Sequence, residues 1–303
     1  MSDRSRTPEA LSMVRGAYAR AMAVRAGIDD PALEAALATI AREDFLPPPP
    51  WLLFGDEGQE RTSDPVRLYR DVLVALERDR GVNNGSPSLH AGWISALAVK
   101  PGERIVHIGA GTGYYTAVLA RLAGPSGRVT AIEIDADLTA IAAEALPRAL
   151  PEGPDPTIVT GDGEAWPQEE TDVVYVSFGI AAPPHPWLDR LALGGRLLFP
   201  LCVPRGRISA GHGWHGAEGV GLLVTRTVAG FAARTLDRCS FVYAEGAIRA
   251  PHLDCELLDQ AFRRGGWARV ASLERGGPID PKRAWYVGRD WALCYDPPGG
   301  RVA

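Results

Sequence analysis

Between Glu103 and Leu201 short apolar runs alternate with helical patterns, and this rhythm constrains the fold more than any other feature of the chain. The runs cover residues 104–108, 128–132, 157–160, 172–177 and 195–201. Between them lie stripes at helical spacing, such as Val118, Leu119 and Leu122, then Leu138, Ile141 and Ala145. Strands that alternate with helices of this length predict an α/β fold with a doubly wound, mostly parallel sheet covered on both faces.

Outside that stretch the pattern changes. Leu11, Val14, Tyr18 and Met22 predict a first helix, and Leu33, Leu37 and Ile40 a second. Asp30-Pro31 reads as an N-cap followed by proline at the first helical position. Four prolines at 47–50 stop any helix there. Residues 51–85 read as loop-rich with one short candidate strand at 72–76, and a helix follows from Ser86-Pro87 to about residue 99. After Leu201, residues 206–219 read as a long glycine- and histidine-rich loop holding His212 and His215. Two β-rich runs at 220–228 and 231–243, a helix at 254–264 and short strands near 268–273, 285–287 and 291–295 complete the pattern. The expected parts are 1–100, N-terminal helices and a loop segment; 101–247, an α/β core; and 248–303, a C-terminal α+β extension.

Hydrophobic residues make up 46% and charged residues 23% of the 303, the balance of a globular chain. The formal net charge is −5 and no lysine- or arginine-rich block occurs, so no nucleic-acid partner is expected. No apolar run nears the roughly 20 residues that span a bilayer, and no membrane association is expected. The polar N-terminus and the scattered Cys202, Cys239, Cys255 and Cys294 suit a cytoplasmic setting, with no metal site or redox pair.

The chemistry concentrates at Gly109-Ala110-Gly111-Thr112-Gly113, where an apolar strand enters a glycine turn that opens a helix. Glycines let the backbone approach a ligand closely, and a helix N-terminus presents free N–H groups. Glu133 ends the next strand, 20 residues beyond Gly113, where a carboxylate suits two ribose hydroxyls. Tyr114 stands where a dinucleotide turn wants glycine or alanine, which leaves an oxidoreductase as a distant alternative. Gly161-Asp162-Gly163 follows the third strand and adds an acid where an adenine amine is bound in methyltransferases.

With these motifs the chain resembles the protein-L-isoaspartate O-methyltransferase family, from about Leu33 to Glu245. Ala41-Arg42-Glu43-Asp44-Phe45-Leu46-Pro47 is similar to its arginine–acidic–phenylalanine–proline signature, and residues 106–117 and Gly161-Asp162-Gly163 to its cofactor motifs. Residues 194–200 match the strand that follows the family's glycine pair, and residues 222–230 and 239–243 track its closing strands. Asn83-Asn84-Gly85-Ser86-Pro87-Ser88-Leu89-His90-Ala91 resembles the family's substrate and cofactor loop. The resemblance implies a Rossmann-like fold, S-adenosylmethionine as cofactor, and a protein or peptide acceptor. It implies cofactor contacts at Asn84, Gly85, His107, Gly109, Ala110, Gly111, Thr112, Gly113, Glu133, Ile134, Asp162 and Gly163.

Three departures stand beside it. The family's active-site serine falls at Gly85, with Ser86 one residue later as a candidate replacement or simply a helix cap. The acid usual two residues before the first glycine is His107. The chain also runs about sixty residues past the family's closing strand, through Trp267, Trp285 and Trp291. Methyl transfer to a carboxylate needs no general base, because that group is ionised at pH 7. A hydroxyl or amine acceptor would need one, with His90 the best placed, and His185 is expected to line the acceptor pocket. The candidate catalytic residues are therefore Ser86 and His90. Three functions are carried forward: a carboxyl methyltransferase of isoaspartyl type, a relative acting on a small molecule or modified peptide, and a non-catalytic cofactor-binding module.

Overall fold

The computed structural model describes residues 7–78, 80–151, 153–205, 216–246, 252–276 and 278–299. They fall into two compact units, residues 1–161 and 162–303.

In the first unit, helix α1 (Pro8–Ala26) starts where the Thr7 hydroxyl accepts from Ala10 N and ends at Gly27, φ +65°. Helix α2 (Pro31–Thr39) is capped by Asp30, as its sequence predicts, and buries Leu33, Ala36 and Leu37. Residues 51–85 depart from the loop-rich expectation. They form strands β1 (Trp51–Gly55), β2 (Gly58–Thr62), β3 (Leu73–Glu77) and β4 (Val82–Asn83), an antiparallel sheet in the order β2-β1-β3-β4. Strand β2 reads Gly-Gln-Glu-Arg-Thr and gives no apolar alternation, because it is an edge strand whose pairing with β1 outweighs propensity. Leu53 and Val74 of this sheet pack with Leu46, Trp51, Leu68 and Val72.

Helix α3 (Pro87–Leu97) follows, and then the predicted alternation: β5 (Arg104–Ile108), α4 (Tyr114–Ala123), β6 (Arg128–Glu133), α5 (Ala136–Ala149) and β7 (Thr157–Thr160). Strands β5, β6 and β7 pair in parallel, so a helical crossover has to join each to the next. Helix α4 is buried from Tyr114 to Ala120.

The second unit holds β8 (Thr171–Val176), α6 (His185–Asp189), β9 (Leu191–Pro204), β10 (Gly216–Thr227), β11 (Gly230–Val242), α7 (His252–Arg264), β12 (Ser272–Arg275), β13 (Ala284–Val287) and β14 (Trp291–Cys294). Strand β8 pairs with β9 in parallel; the pairs β9–β10, β10–β11, β11–β12, β12–β14 and β14–β13 are antiparallel. Of the expected loop at 206–219, residues 206–215, with His212 and His215, lie outside the described residues, and Gly216–Gly219 already belong to β10. The strand expected at 268–273 begins later, because Gly265 and Gly266 at positive φ lead into a 3-10 turn at Trp267–Arg269. Trp285 and Trp291 are buried within this unit, with the Trp285 indole donating to Gly265 O at 2.9 Å. Gly219 stands opposite both Cys202 of β9 and Cys239 of β11. Over that side-chain-free position the two sulfurs approach to 3.8 Å.

Among the described residues no helix is long and apolar enough to cross a membrane.

Candidate active site

Strand β5 ends in a turn where Gly109, Gly111 and Gly113 take φ of +73°, +55° and +90°, a region that favours glycine. The turn is tied to β6 through Gly109 N and Ala110 N, which donate to Ile132 O at 2.8 and 3.1 Å. No side chain caps α4 at Gly113, so its first N–H groups face outward from the turn. A Cβ added at Gly113 would meet Ala142 at 3.1 Å, whereas at Gly111 the nearest atom would be Leu76 Cδ1 at 4.0 Å. Gly113 is therefore needed for packing, and Gly111 borders open space.

Glu133 closes β6 with its carboxylate turned back to that turn: Oε2 accepts from Gly111 N at 2.8 Å and Oε1 from Asp135 N at 3.0 Å. Burial raises its pKa, against backbone N–H groups of Asp135, Gly111 and Ile134 that favour the ionised form. A carboxylate has about four acceptor positions, so with three backbone donors in place Glu133 keeps room for about one more. Asp135 caps α5 and pairs with Arg80, while the Ile134 side chain beside it is exposed. In the second unit Asp162 Oδ1 accepts from Glu164 N at 2.9 Å, and buried Gly163 accepts at its carbonyl from the Trp187 indole at 3.0 Å.

The loop before α3 is organised by its own polar side chains. Asn84 Oδ1 accepts from Val74 N at 2.8 Å, and Asn83 Oδ1 from Gly85 N at 2.9 Å. Ser86 caps α3, accepting from Leu89 N at 3.5 Å, and donates to Asp71 Oδ1 at 2.9 Å. Asp71 also takes Ser88 N at 3.1 Å and the Ser88 hydroxyl at 2.5 Å. The hydroxyl of Ser86 thus has two structural duties. Gly85 has φ +72°, and a Cβ there would lie 2.2 Å from His90 Nε2. The place of the family serine's side chain is filled by the His90 ring.

His90 is 2% exposed and stacks on Tyr115, ring centroids 3.8 Å apart and 9° from parallel. Burial, then His107 and Arg42, pull its pKa down to about 3. His107 lies in the interior of β5, its Nδ1 2.8 Å from Thr116 Oγ1, and burial lowers its pKa to about 3 as well. Both rings are neutral at pH 7. Arg42 of the sequence signature is buried too, donating to the carbonyls of Leu68, Arg70 and Val72, with Tyr18 and Tyr114 rings 5.7 and 5.9 Å away.

Within the first unit the structure brings together the loop with Asn84, Gly85, Ser86 and His90 and the turn with Gly109, Ala110, Gly111, Thr112 and Gly113. The His90–Tyr115 stack joins them. His185, in the second unit, sits between Arg275, 2.7 Å from Nδ1, and Asp290, 2.8 Å from Nε2. Sequence reading missed Asp71, which anchors Ser86 and Ser88 from 15 and 17 residues upstream and belongs to no motif.

The protein-L-isoaspartate(D-aspartate) O-methyltransferase family model matches residues 23–207. A protein-L-isoaspartate O-methyltransferase of Methylorubrum populi is 36% identical over 183 residues, 60% of this chain and 76% of that one. One from Rhodopseudomonas palustris is 36% identical over 177 residues, 58% and 64% of the two chains. One from Aeropyrum pernix is 33% identical over 138 residues, 45% and 52%. Thus this chain spans between about half and three quarters of the length of these relatives. Among solved structures, a protein-L-isoaspartate O-methyltransferase superposes with a TM-score of 0.60 at 22% identity, covering 82% of this chain and 69% of that one. A Plasmodium falciparum protein described as such an enzyme, solved with S-adenosyl-L-homocysteine, gives a TM-score of 0.56 at 20% identity, covering 76% and 98%. These likenesses establish a Rossmann-like methyltransferase fold.

Proposed function

The chain belongs to the protein-L-isoaspartate(D-aspartate) O-methyltransferase family, whose members are S-adenosylmethionine-dependent enzymes, and on that premise we propose that it methylates a carboxylate acceptor of isoaspartyl type. The methyl donor supplies an activated methyl group for in-line displacement, so the protein contributes positioning and a dry site.

The residues present fit that donor. Open space at Gly111 admits a ligand against the backbone, and Glu133 keeps acceptor capacity for a hydroxyl donor. Residues Gly109 to Gly113 would hold the donor's amino-acid end and Glu133 with neighbouring Ile134 its ribose, while Asp162 and Gly163, in the second unit, match the family motif for its base. Asn84, Gly85 and His107 complete the set carried from the family motifs, His107 acting through Thr116 rather than by reaching the surface.

The observation that carries the carboxylate reading is the state of His90. Buried beneath Gly85 and held near pKa 3, its imidazole is a poor general base at neutral pH. A carboxylate needs none. Ser86, fixed by Asp71 and by α3, supports the reading as a structural cap of the acceptor loop. A second reading, a small molecule or modified peptide as acceptor, draws on Gly85 and on the residues beyond the matched 207. The functional parts remain those proposed above: 1–100 carrying the acceptor loop, 101–247 the donor site and 248–303 an extension. A cytoplasmic setting belongs to the same reading.

Labelled S-adenosylmethionine incubated with an isoaspartyl peptide and its aspartyl control should give a base-labile methyl ester on the first alone. Measurable donor binding with no transfer to the isoaspartyl peptide would overturn the proposal. The turnover rate should also stay flat between about pH 6 and 9, since the acceptor carboxylate stays ionised and His90 stays neutral across that range.

A further inference from the structure

The hairpin of β1 and β2, the 3-10 turn Pro65–Leu68 and the end of α1 line a half-open cavity of about 540 Å³ in the first unit, with Leu53 and Val72 among its lining. That volume is of the size that holds a ligand side chain or small molecule. Three guanidinium groups face it, from Arg25, Arg67 and Arg70.

Their partners differ in how firmly they are held. Glu60 grips Arg67 with both oxygens, at 2.6 and 2.7 Å, and takes Arg70 Nη2 at 2.6 Å. Those hydrogen bonds pull its carboxyl down to about 2. Asp71, with a side chain only 12% exposed, receives Arg25 Nε at 2.7 Å. Asp56 and Glu57 are of another kind. They sit in the turn between β1 and β2 with side chains 79% and 85% exposed, reaching Arg25 at 2.8 Å and Arg70 at 3.1 Å. Pairs so exposed are weak, and a carboxylate from outside can replace them at little cost. Arg67 is committed to Glu60, Arg25 Nε to Asp71 and Arg70 Nη2 to Glu60, so the donors held only by an exposed turn carboxylate are Arg25 Nη2 and Arg70 Nη1, one from each guanidinium.

The cavity adjoins the acceptor loop. Asp71 binds Arg25 on one side and the hydroxyls of Ser86 and Ser88 on the other.

From this arrangement we propose that Arg25 and Arg70 dock an acidic side chain of the acceptor polypeptide near its methylated residue, and that Asp56 and Glu57 occupy the same guanidiniums until it arrives. The assignment rests on the polypeptide-acceptor reading above. It makes the β1–β2 turn a built-in competitor for acidic sequence around the target.

Two fluorescein-labelled isoaspartyl peptides test it, identical except that flanking Asp and Glu in one are Asn and Gln in the other. Binding is followed by anisotropy and transfer by label incorporation, with S-adenosyl-L-homocysteine affinity as the control for folding. The native protein should prefer the acidic peptide by roughly fivefold, a factor that partly exposed ion pairs supply, and the preference should shrink with added salt. Arg25→Gln with Arg70→Gln should bring the ratio of the two affinities to about one. Asp56→Asn with Glu57→Gln, on an exposed turn that leaves the fold intact, should widen it. A ratio equal in all three proteins, or one that the turn substitutions fail to widen, overturns the docking site. If the acidic peptide binds in this pattern yet neither peptide is methylated, the docking site stands and the acceptor reading falls. If both are methylated with one KM throughout, the reverse holds.

Discussion

At Gly85 a side chain is excluded by a backbone φ of +72° and by the His90 ring, whose Nε2 would be 2.2 Å from an added Cβ. Restoring the serine found in the family should therefore harm this protein. Gly85→Ser should lower stability by about 1–3 kcal/mol in urea titration, and adding His90→Ala should recover part of the loss. Glu133→Ala should weaken S-adenosyl-L-homocysteine binding by roughly 1–3 kcal/mol in calorimetry, the range for a lost hydrogen bond to a charged group. Gly111→Val should abolish that binding, since a β-branched residue cannot hold φ +55° beside the ligand. Full affinity in either variant would move the donor site elsewhere. The glycines and Glu133 were legible because each must stand at a set distance from a strand end. Glycine at position 85 was legible only as a departure, since its cause lies five residues on, in a ring folded back over the loop.

Helix α3 begins where the acceptor loop ends, and one hydroxyl links the two. Removing it in Ser86→Ala should cost about 1 kcal/mol of stability, the usual worth of an N-cap, while methyl transfer persists at a comparable rate. A loss of turnover with stability unchanged would instead give Ser86 a direct part in the chemistry. Elements with strong periodicity were readable: β5 and β7 fall at the expected residues, and α2 starts at its predicted cap. The small sheet was not. Strand β2 is polar and held through a partner, and β4 is two residues long, so neither leaves a local pattern. The same holds for Asp71, whose role depends on serines far along the chain that only the fold brings near.

For the molecule as a whole, two buried neutral histidines set a pH dependence. Unfolded, His90 and His107 titrate near 6.5; folded, near 3. Below about pH 6.5 the unfolded chain takes up protons that the folded chain refuses, so stability is full above that value and declines towards pH 3. The slope approaches 1.4 kcal/mol per pH unit for each histidine, and unfolding midpoints at pH 7.5 and 5 should differ accordingly. His107→Gln should flatten the dependence. The antiparallel pairing of the second unit was legible in outline, from β-rich runs, but the meeting of Cys202 and Cys239 across Gly219 was not, because sequence separation hides what a shared neighbour strand aligns. That meeting has a chemical consequence. Two strand spacings put their α-carbons about 9–10 Å apart, beyond the roughly 7 Å that a disulfide tolerates. The sulfurs touch, yet cannot bond without tearing β10 from its neighbours. Geometry thus bars the pair from closing a disulfide. After diamide treatment and alkylation of the denatured chain, both sites should carry the alkyl label, in oxidising surroundings as in reducing ones.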